Sequence, residues 1–387
     1  MVTLPKIRFN RQEFSGAFGD IGTDFPLIVA MIIAAGLHTP SVLIIFGLMQ
    51  IFTGYFYRMP MPVQPLKAMA ALVISQKIAG PVLMGAGLAI GVVMLILSVT
   101  GILDKLTRFI PKAVIRGIQL GLGISLSLLA FKEYIPADHL PGYILAGFSF
   151  LIILLFIDRK KVPAALLVIL LGMLYAFIFK IDLAVLPATF GINFPVFFIP
   201  SIENIATGFV LLALPQIPLS LGNSILATKQ VSADYFPERT DITVKKIGTT
   251  YSLMNLVSPF FSGIPSCHGA GGMVGHYTFG GRTGGSVIIY GLMYVSFGLF
   301  FGNGFHEIIK AFPLPVLGVI LVVEGLSLIV LVKDVVSDKR GFVIAILCGL
   351  MAFGLPYGFA ISLIVGTAIW YSPLKLTALS GIGSEKS

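Results

Sequence analysis

Long apolar runs separated by short polar clusters recur along the whole 387-residue chain. A helix needs about 20 apolar residues to cross a bilayer, and on that measure fourteen segments stand out. The first seven are residues 14–36, 40–57, 63–75, 81–103, 110–130, 143–157 and 162–179. The second seven are 205–227, 247–261, 268–279, 286–301, 314–332, 342–353 and 356–371. Two of these runs are broken. In PMPVQPLKAMAA, residues 60–71, three prolines fall within six positions. Each lacks an N–H and clashes with the carbonyl four residues back, so the chain must run extended there. After Pro65 the residues return to good helix formers, and a proline at the first helical position is the usual opening of such a helix. The second broken run, GIPSCHGAGGMVG, is interrupted by glycines in the other half of the chain.

Composition agrees with the pattern. Hydrophobic residues make up 57% of the chain and charged ones 11%, against roughly 25% charged in a soluble protein, so an all-α polytopic membrane protein is expected. The net charge of +9 does not point to nucleic acid, because no basic run is interleaved with aromatics. The cations lie in short loops instead. With a cytoplasmic N-terminus, 21 lysines and arginines fall inside and only Lys77, Lys132, Lys180 and Lys310 outside, with Lys67 left at membrane depth. That asymmetry predicts about fourteen spans with both termini in the cytoplasm of a cell inner membrane. Cys267 and Cys348 give neither a disulfide framework nor metal-ligand spacing. No removable signal peptide is expected at the N-terminus, and no soluble domain after Tyr371.

Seven is an odd number, so a duplicated seven-span unit would carry its second copy upside down. The expected units are residues 1–184 and 185–387. GDIGTDFP precedes the first broken run, with Gln64 following Asp20 by 44 residues. LPQIPLSLGNS precedes the second, with His268 following Gln216 by 52. Short broken segments at matching places in two halves mark a transporter's binding site, and non-helical backbone at membrane depth survives only where it is buried or lines a cavity.

The candidate chemistry gathers there. Gln64, Pro65 and Lys67 stand at the mouth of the first short helix, whose N–H groups and dipole would attract an anion. Lys67 either touches that anion or pairs with an acid on the first span. Gly269, Ala270, Gly271 and Gly272 could form an anion nest after His268, which could itself donate to an oxyanion or carry a proton; small residues packing helices closely are the plainer alternative. Asp20 and Asp24 share a helix face, and make sense beside an anion if one pairs with Lys67 or holds a proton. Gln216, Ser220, Asn223 and Ser224 share another face as neutral donors. Glu324, far from these motifs in the repeat, is expected to serve packing or gating. No nucleophile with a base, metal set or phosphate loop appears, so no enzyme, cofactor or metal is expected.

GAFGDIGTDFPLIVA, PMPVQPLKAMAA, LPQIPLSLGNSILA and CHGAGGMVGHYTFGGRTGGS closely resemble motifs of the molybdate transporter family that is related to the sulfate permeases. The resemblance implies a seven-plus-seven inverted repeat, with a core domain from spans one to four and eight to eleven and a gate domain from the rest. It implies an oxyanion held between the half-helices of spans three and ten, with contacts on Thr23, Gln64, Lys67, Gln216, Asn223, His268 and the glycines after it. The expected function is import of molybdate, or sulfate, by alternating access. Each charge moved against a negative interior costs about 2.3 kcal/mol per 100 mV, so a dianion needs co-transported protons, with Asp20, Asp24 and His268 as candidate carriers. The expected partners are the anion, the proton and the bilayer, and a homodimer is compatible with the sequence. A nucleobase carrier of the same architecture and an anion channel are the alternatives.

Overall fold

The computed structural model describes residues 5–103, 105, 109–156, 164–180 and 190–374. The expected repeat boundary at residue 184, the tail after Leu374 and the cations Arg108, Arg159, Lys160 and Lys161 lie outside the described residues. Helices occupy the apolar segments: α1 (Arg11–Ala17), α2 (Ile21–Ala35), α3 (Thr39–Tyr57), α4 (Lys67–Gln76), α5 (Gly80–Thr100), α6 (Lys112–Leu129), α7 (His139–Phe156), α8 (Ala164–Phe179), α9 (Ile202–Tyr235), α10 (Val244–Val257), α11 (Ala270–Thr278), α12 (Gly285–Ala311), α13 (Leu314–Val330), α14 (Lys339–Gly354) and α15 (Gly358–Tyr371).

Among the described residues six helices are long and apolar enough to cross a membrane, or seven if α1 and α2, bent by 41°, form one span. The protein is a multi-pass membrane protein. Phe148, Leu151, Leu155, Leu174 and Phe177 on α7 and α8 are exposed, as apolar side chains facing lipid must be. At about 1.5 Å per residue, α4 with 10 residues and α11 with 9 are too short to cross a bilayer.

The expectation of an all-α chain needs one correction. Val63–Pro65 (β1) and Ser266–His268 (β2) pair antiparallel, with Val63 opposite His268, Gln64 opposite Cys267 and Pro65 opposite Ser266. Two further bonds flank the pair, Leu66 N–H to the Pro265 carbonyl at 3.2 Å and Gly269 N–H to the Pro62 carbonyl at 3.4 Å. The prolines that forbid helix thus leave backbone groups that each broken segment satisfies on the other. Pro65 consequently belongs to β1, and α4 opens at Lys67 rather than at the proline.

The helix of the eighth apolar run, expected over 205–227, extends beyond it, since α9 spans Ile202–Tyr235. Its winding loosens to π geometry over Phe209–Ala213 and Ser220–Leu226. Pro215 and Pro218 between them cannot donate to the carbonyls of the preceding turn, and a wider turn accommodates that loss. Packing is close where glycines face each other. A side chain on Gly47 or Gly54 of α3 would run into the carbonyls of Gly291 or Gly284, at 2.5 and 2.7 Å, so α3 and α12 touch along their backbones.

Candidate functional site

The strand pair delivers the N-termini of α4 and α11 to one cavity of about 370 Å³, within the range of small-molecule sites, about 300–1,000 Å³. Gln64 and Lys67 enter from the first broken segment, Gln216, Leu219, Ser224 and Ala227 from α9, and Cys267, His268, Gly269, Ala270 and Gly271 from the second. Ser327, Leu328 and Leu331, on α13 and the turn after it, close the remaining side. Of the other residues expected at the site, Asp20, Thr23, Asp24, Pro65 and Gly272 are not in the lining, and the side chain of Asn223 lies outside the described residues.

The two helix ends present different groups. Gln216 Oε1 accepts from the N–H groups of Ala68 at 2.9 Å and Met69 at 3.2 Å, so an amide oxygen from α9 already occupies the first turn of α4. Its Nε2 donates to Ser220 Oγ at 3.0 Å, which meets the Tyr251 hydroxyl at 2.8 Å. Gln216 therefore caps a half-helix rather than offering a loose donor. At α11 no side chain caps the end, and among the described residues no acceptor meets the N–H groups of Ala270, Gly271 or Gly272. Of these residues Ala270 and Gly271 line the cavity, at the positive end of the helix dipole.

Lys67, the first residue of α4, supplies the positive charge. Its Nζ lies 3.4 Å from Glu324 Oε2 on α13. The acid that pairs with it is thus not on the first span, and Glu324 is not remote from the site. Asp20 instead takes Gln64, whose Nε2 donates to both carboxylate oxygens at 2.7 and 2.8 Å. This turns the Gln64 amide and fixes the α1–α2 turn against the strands. Asp20 is buried within the protein. A side chain on Gly272 would collide with Asp20 Oδ2, so the glycine there is what lets the carboxylate approach α11. Asp24 is fully buried, and both its oxygens lack a hydrogen-bond partner among the described residues. His268 is fully buried, with Nε2 at 2.7 Å from Thr250 Oγ1 and its ring edge-on to Tyr57.

Comparison with known proteins agrees with this architecture. The family described as the molybdate transporters of the MFS superfamily matches residues 12–126 and 208–328. Molybdate transporter 1 of Arabidopsis thaliana is 33% identical over 395 residues, covering 90% of this chain and 85% of that protein. The chain belongs to the molybdate transporter family. Molybdate transporter 2 of the same plant is also 33% identical, over 387 residues, covering 87% and 82%. The relatives are transporters and not enzymes. Among solved structures, the transmembrane domain of a cyanobacterial bicarbonate transporter, BicA, superposes with a TM-score of 0.67 over 96% of this chain and 100% of that one, at 17% identity. At that identity the likeness concerns the fold.

Three residues that brace the strands and helix ends around the cavity escape a reading of the sequence. Gln50 of α3 makes a reciprocal pair with Val63, donating to its carbonyl at 2.7 Å and accepting from its N–H at 2.9 Å. Asn255 of α10 does the same for Ser266, at 2.6 and 2.9 Å. Each amide pins one strand. Glu13 of α1 is buried, and its carboxylate accepts from the N–H groups of Arg282, Thr283 and Ser286 at 2.9–3.1 Å, filling the approach to α12. The available signal is a lone amide in the apolar run before each broken segment, and a lone acid in the first helix.

Proposed function

We propose that this member of the family is a secondary transporter that binds molybdate as a dianion between the N-termini of α4 and α11. The observation that carries the reading is the shared cavity, which is lined both by the Lys67 cation and by Ala270 and Gly271, whose N–H groups have no acceptor among the described residues. That donor set suits a small oxyanion, since charge-assisted bonds from N–H groups and an ammonium are the strong ones. The printed names of the relatives support molybdate as the first substrate, with sulfate second because it shares charge and shape.

The same reading takes the chain as fourteen spans in two inverted units, residues 1–184 and 185–387. The reciprocal pairing of β1 with β2, and the equivalent pins Gln50 and Asn255, support it. A core of α1–α5 and α9–α12 rocks against a gate of α6–α8 and α13–α15, giving alternating access. Packing of α3 on α12, α5 on α10, and α6 on α13 and α14 supports that division. The lysine and arginine asymmetry supports a plasma-membrane location with both termini cytoplasmic. Proton coupling offsets the charge of the anion. Among Asp20, Asp24 and His268, Asp24 is the best placed carrier, because both its carboxylate oxygens lack a partner among the described residues, whereas Gln64 engages both oxygens of Asp20 and Thr250 engages one ring nitrogen of His268. A nucleobase carrier would need an acid within reach of a ring N–H, and among the described residues no carboxylate lines the cavity.

Calorimetry on the purified protein, with molybdate as titrant and sulfate as competitor, tests the reading. Molybdate binding that excess sulfate displaces weakly is the expected result. Equal displacement would widen the function to general oxyanion transport, and no binding of either would overturn it.

A further inference from the structure

Glu324 is the acid whose position sequence reasoning places far from the site, and the cavity explains what it does there. Lys67 lines the cavity and Glu324 does not, yet Ser327 and Leu328 on the next turn of α13 do. The carboxylate therefore reaches the lysine from behind the wall. The lysine side chain keeps 36% of its surface and the glutamate 16%, so the cation is open to the cavity while its counter-ion is largely covered. Neither Asp20, which holds Gln64, nor Asp24 lies within ion-pair distance of Lys67 among the described residues. Glu324 is thus the acid paired with that cation, and the pair links α4 directly to α13.

We infer that Glu324 is an internal competitor for the transported anion: its carboxylate holds Lys67 until an oxyanion takes the cation over, which parts α4 from α13. The inference rests on the anion reading of the cavity. A dianion that entered while Glu324 kept the lysine would bring like charges together around one cation, in surroundings less screened than water. Exchange avoids that repulsion. It also gives the anion a differential contact with two arrangements of the protein, without which a ligand shifts no equilibrium. In the core and gate division, occupancy of the site then releases the ion pair that joins them across the cavity.

The sign of one substitution separates competition from a structural role. If Glu324 competes, Glu324→Gln tightens molybdate binding by about twofold to fivefold, the range of a partly exposed ion pair. If Glu324 merely holds Lys67 in a productive position, the same change weakens binding. Glu324→Ala removes the carboxylate with a different shape and must move affinity the same way, which covers the case in which the glutamine variant does not fold. In a Lys67→Ala background, Glu324→Gln should tighten binding less than it does in the wild type, because only the like-charge repulsion is then left to remove; an equal gain in both backgrounds would overturn competition for the lysine. Calorimetry of these proteins against molybdate reads all three. Binding that both single Glu324 variants weaken or leave equal overturns the inference alone. Absence of oxyanion binding in the wild type and every variant overturns the anion reading and this inference with it.

Discussion

The two half-helices reach the cavity by the same device and end there differently. Each follows a three-residue strand, each strand is pinned by one side-chain amide, and the strands pair with each other. At α4 the first N–H groups are taken by Gln216 and a lysine brings a full charge. At α11 glycines leave the N–H groups bare and no charge is added. A third helix end, that of α12, carries the Glu13 carboxylate in the place where an anion would sit. Within one protein, then, helix N-termini meet a neutral oxygen, a built-in carboxylate, or open space. The open one faces the cavity, and under the proposed reading a side-chain cation on one half-helix and a bare helix end on the other would meet the same anion.

Removing the cation should have the largest effect. Lys67→Ala is expected to weaken molybdate binding by about a hundredfold, the cost of deleting one charge from a desolvated pair, and calorimetry checks it. An effect below threefold would shift the burden to α11. The cradle can be tested without disturbing the helix. Ala270 is the first residue of α11, and Gly269 before it is extended, so Ala270→Pro is compatible with the backbone. It deletes one N–H and should cost about tenfold in affinity while the unfolding temperature holds. Unchanged binding would mean that the bare donors are not used.

Gln216→Ala should do the reverse. It uncaps α4 and is expected to lower stability by about 1–2 kcal/mol, read by thermal unfolding, with a smaller effect on binding than Ala270→Pro. A loss of binding larger than that would place Gln216 on the anion itself. A substitution outside both half-helices calibrates these shifts. Asp241 accepts from Arg239 at 2.8 and 3.0 Å and from Lys246 at 2.6 Å, and Arg239 also donates to the Tyr57 carbonyl at the end of α3. These partners, Arg239 first, hold the Asp241 carboxyl well below its usual range. A depressed carboxyl contributes stability above the unfolded value and loses it as pH falls toward the folded one. Asp241→Asn should therefore lower the unfolding temperature at neutral pH by a small amount, under about 1 kcal/mol. The gap to wild type should narrow as the solution is acidified below the ordinary carboxylate range, and a gap independent of pH would contradict the assignment.

Much of this comparison is legible in the residues. Proline at 60, 62 and 65 forces an extended segment, the return to helix formers places α4, and the glycines after His268 mark its counterpart. What cannot be read is the choice of long-range partner. Nothing local says that Gln216 turns its oxygen onto α4, 148 residues away, or that Lys67 meets an acid 257 residues on. An α-helical period for Gln216, Ser220, Asn223 and Ser224 also fails in detail, because the turn after Pro218 is wound as π. Strand pairing was hidden for the same reason: three residues per strand carry no alternation to detect.

The most direct test of the account is the position of molybdenum in the protein. Anomalous scattering at the molybdenum edge from crystals grown with molybdate locates the metal centre without reference to any variant. One dominant peak is expected within roughly 5 Å of both Lys67 Nζ and the first N–H groups of α11, the distance of an oxyanion's centre from its hydrogen-bond donors. A dominant peak elsewhere, for example beside Lys112 and Arg116, with none between the half-helices, would contradict it.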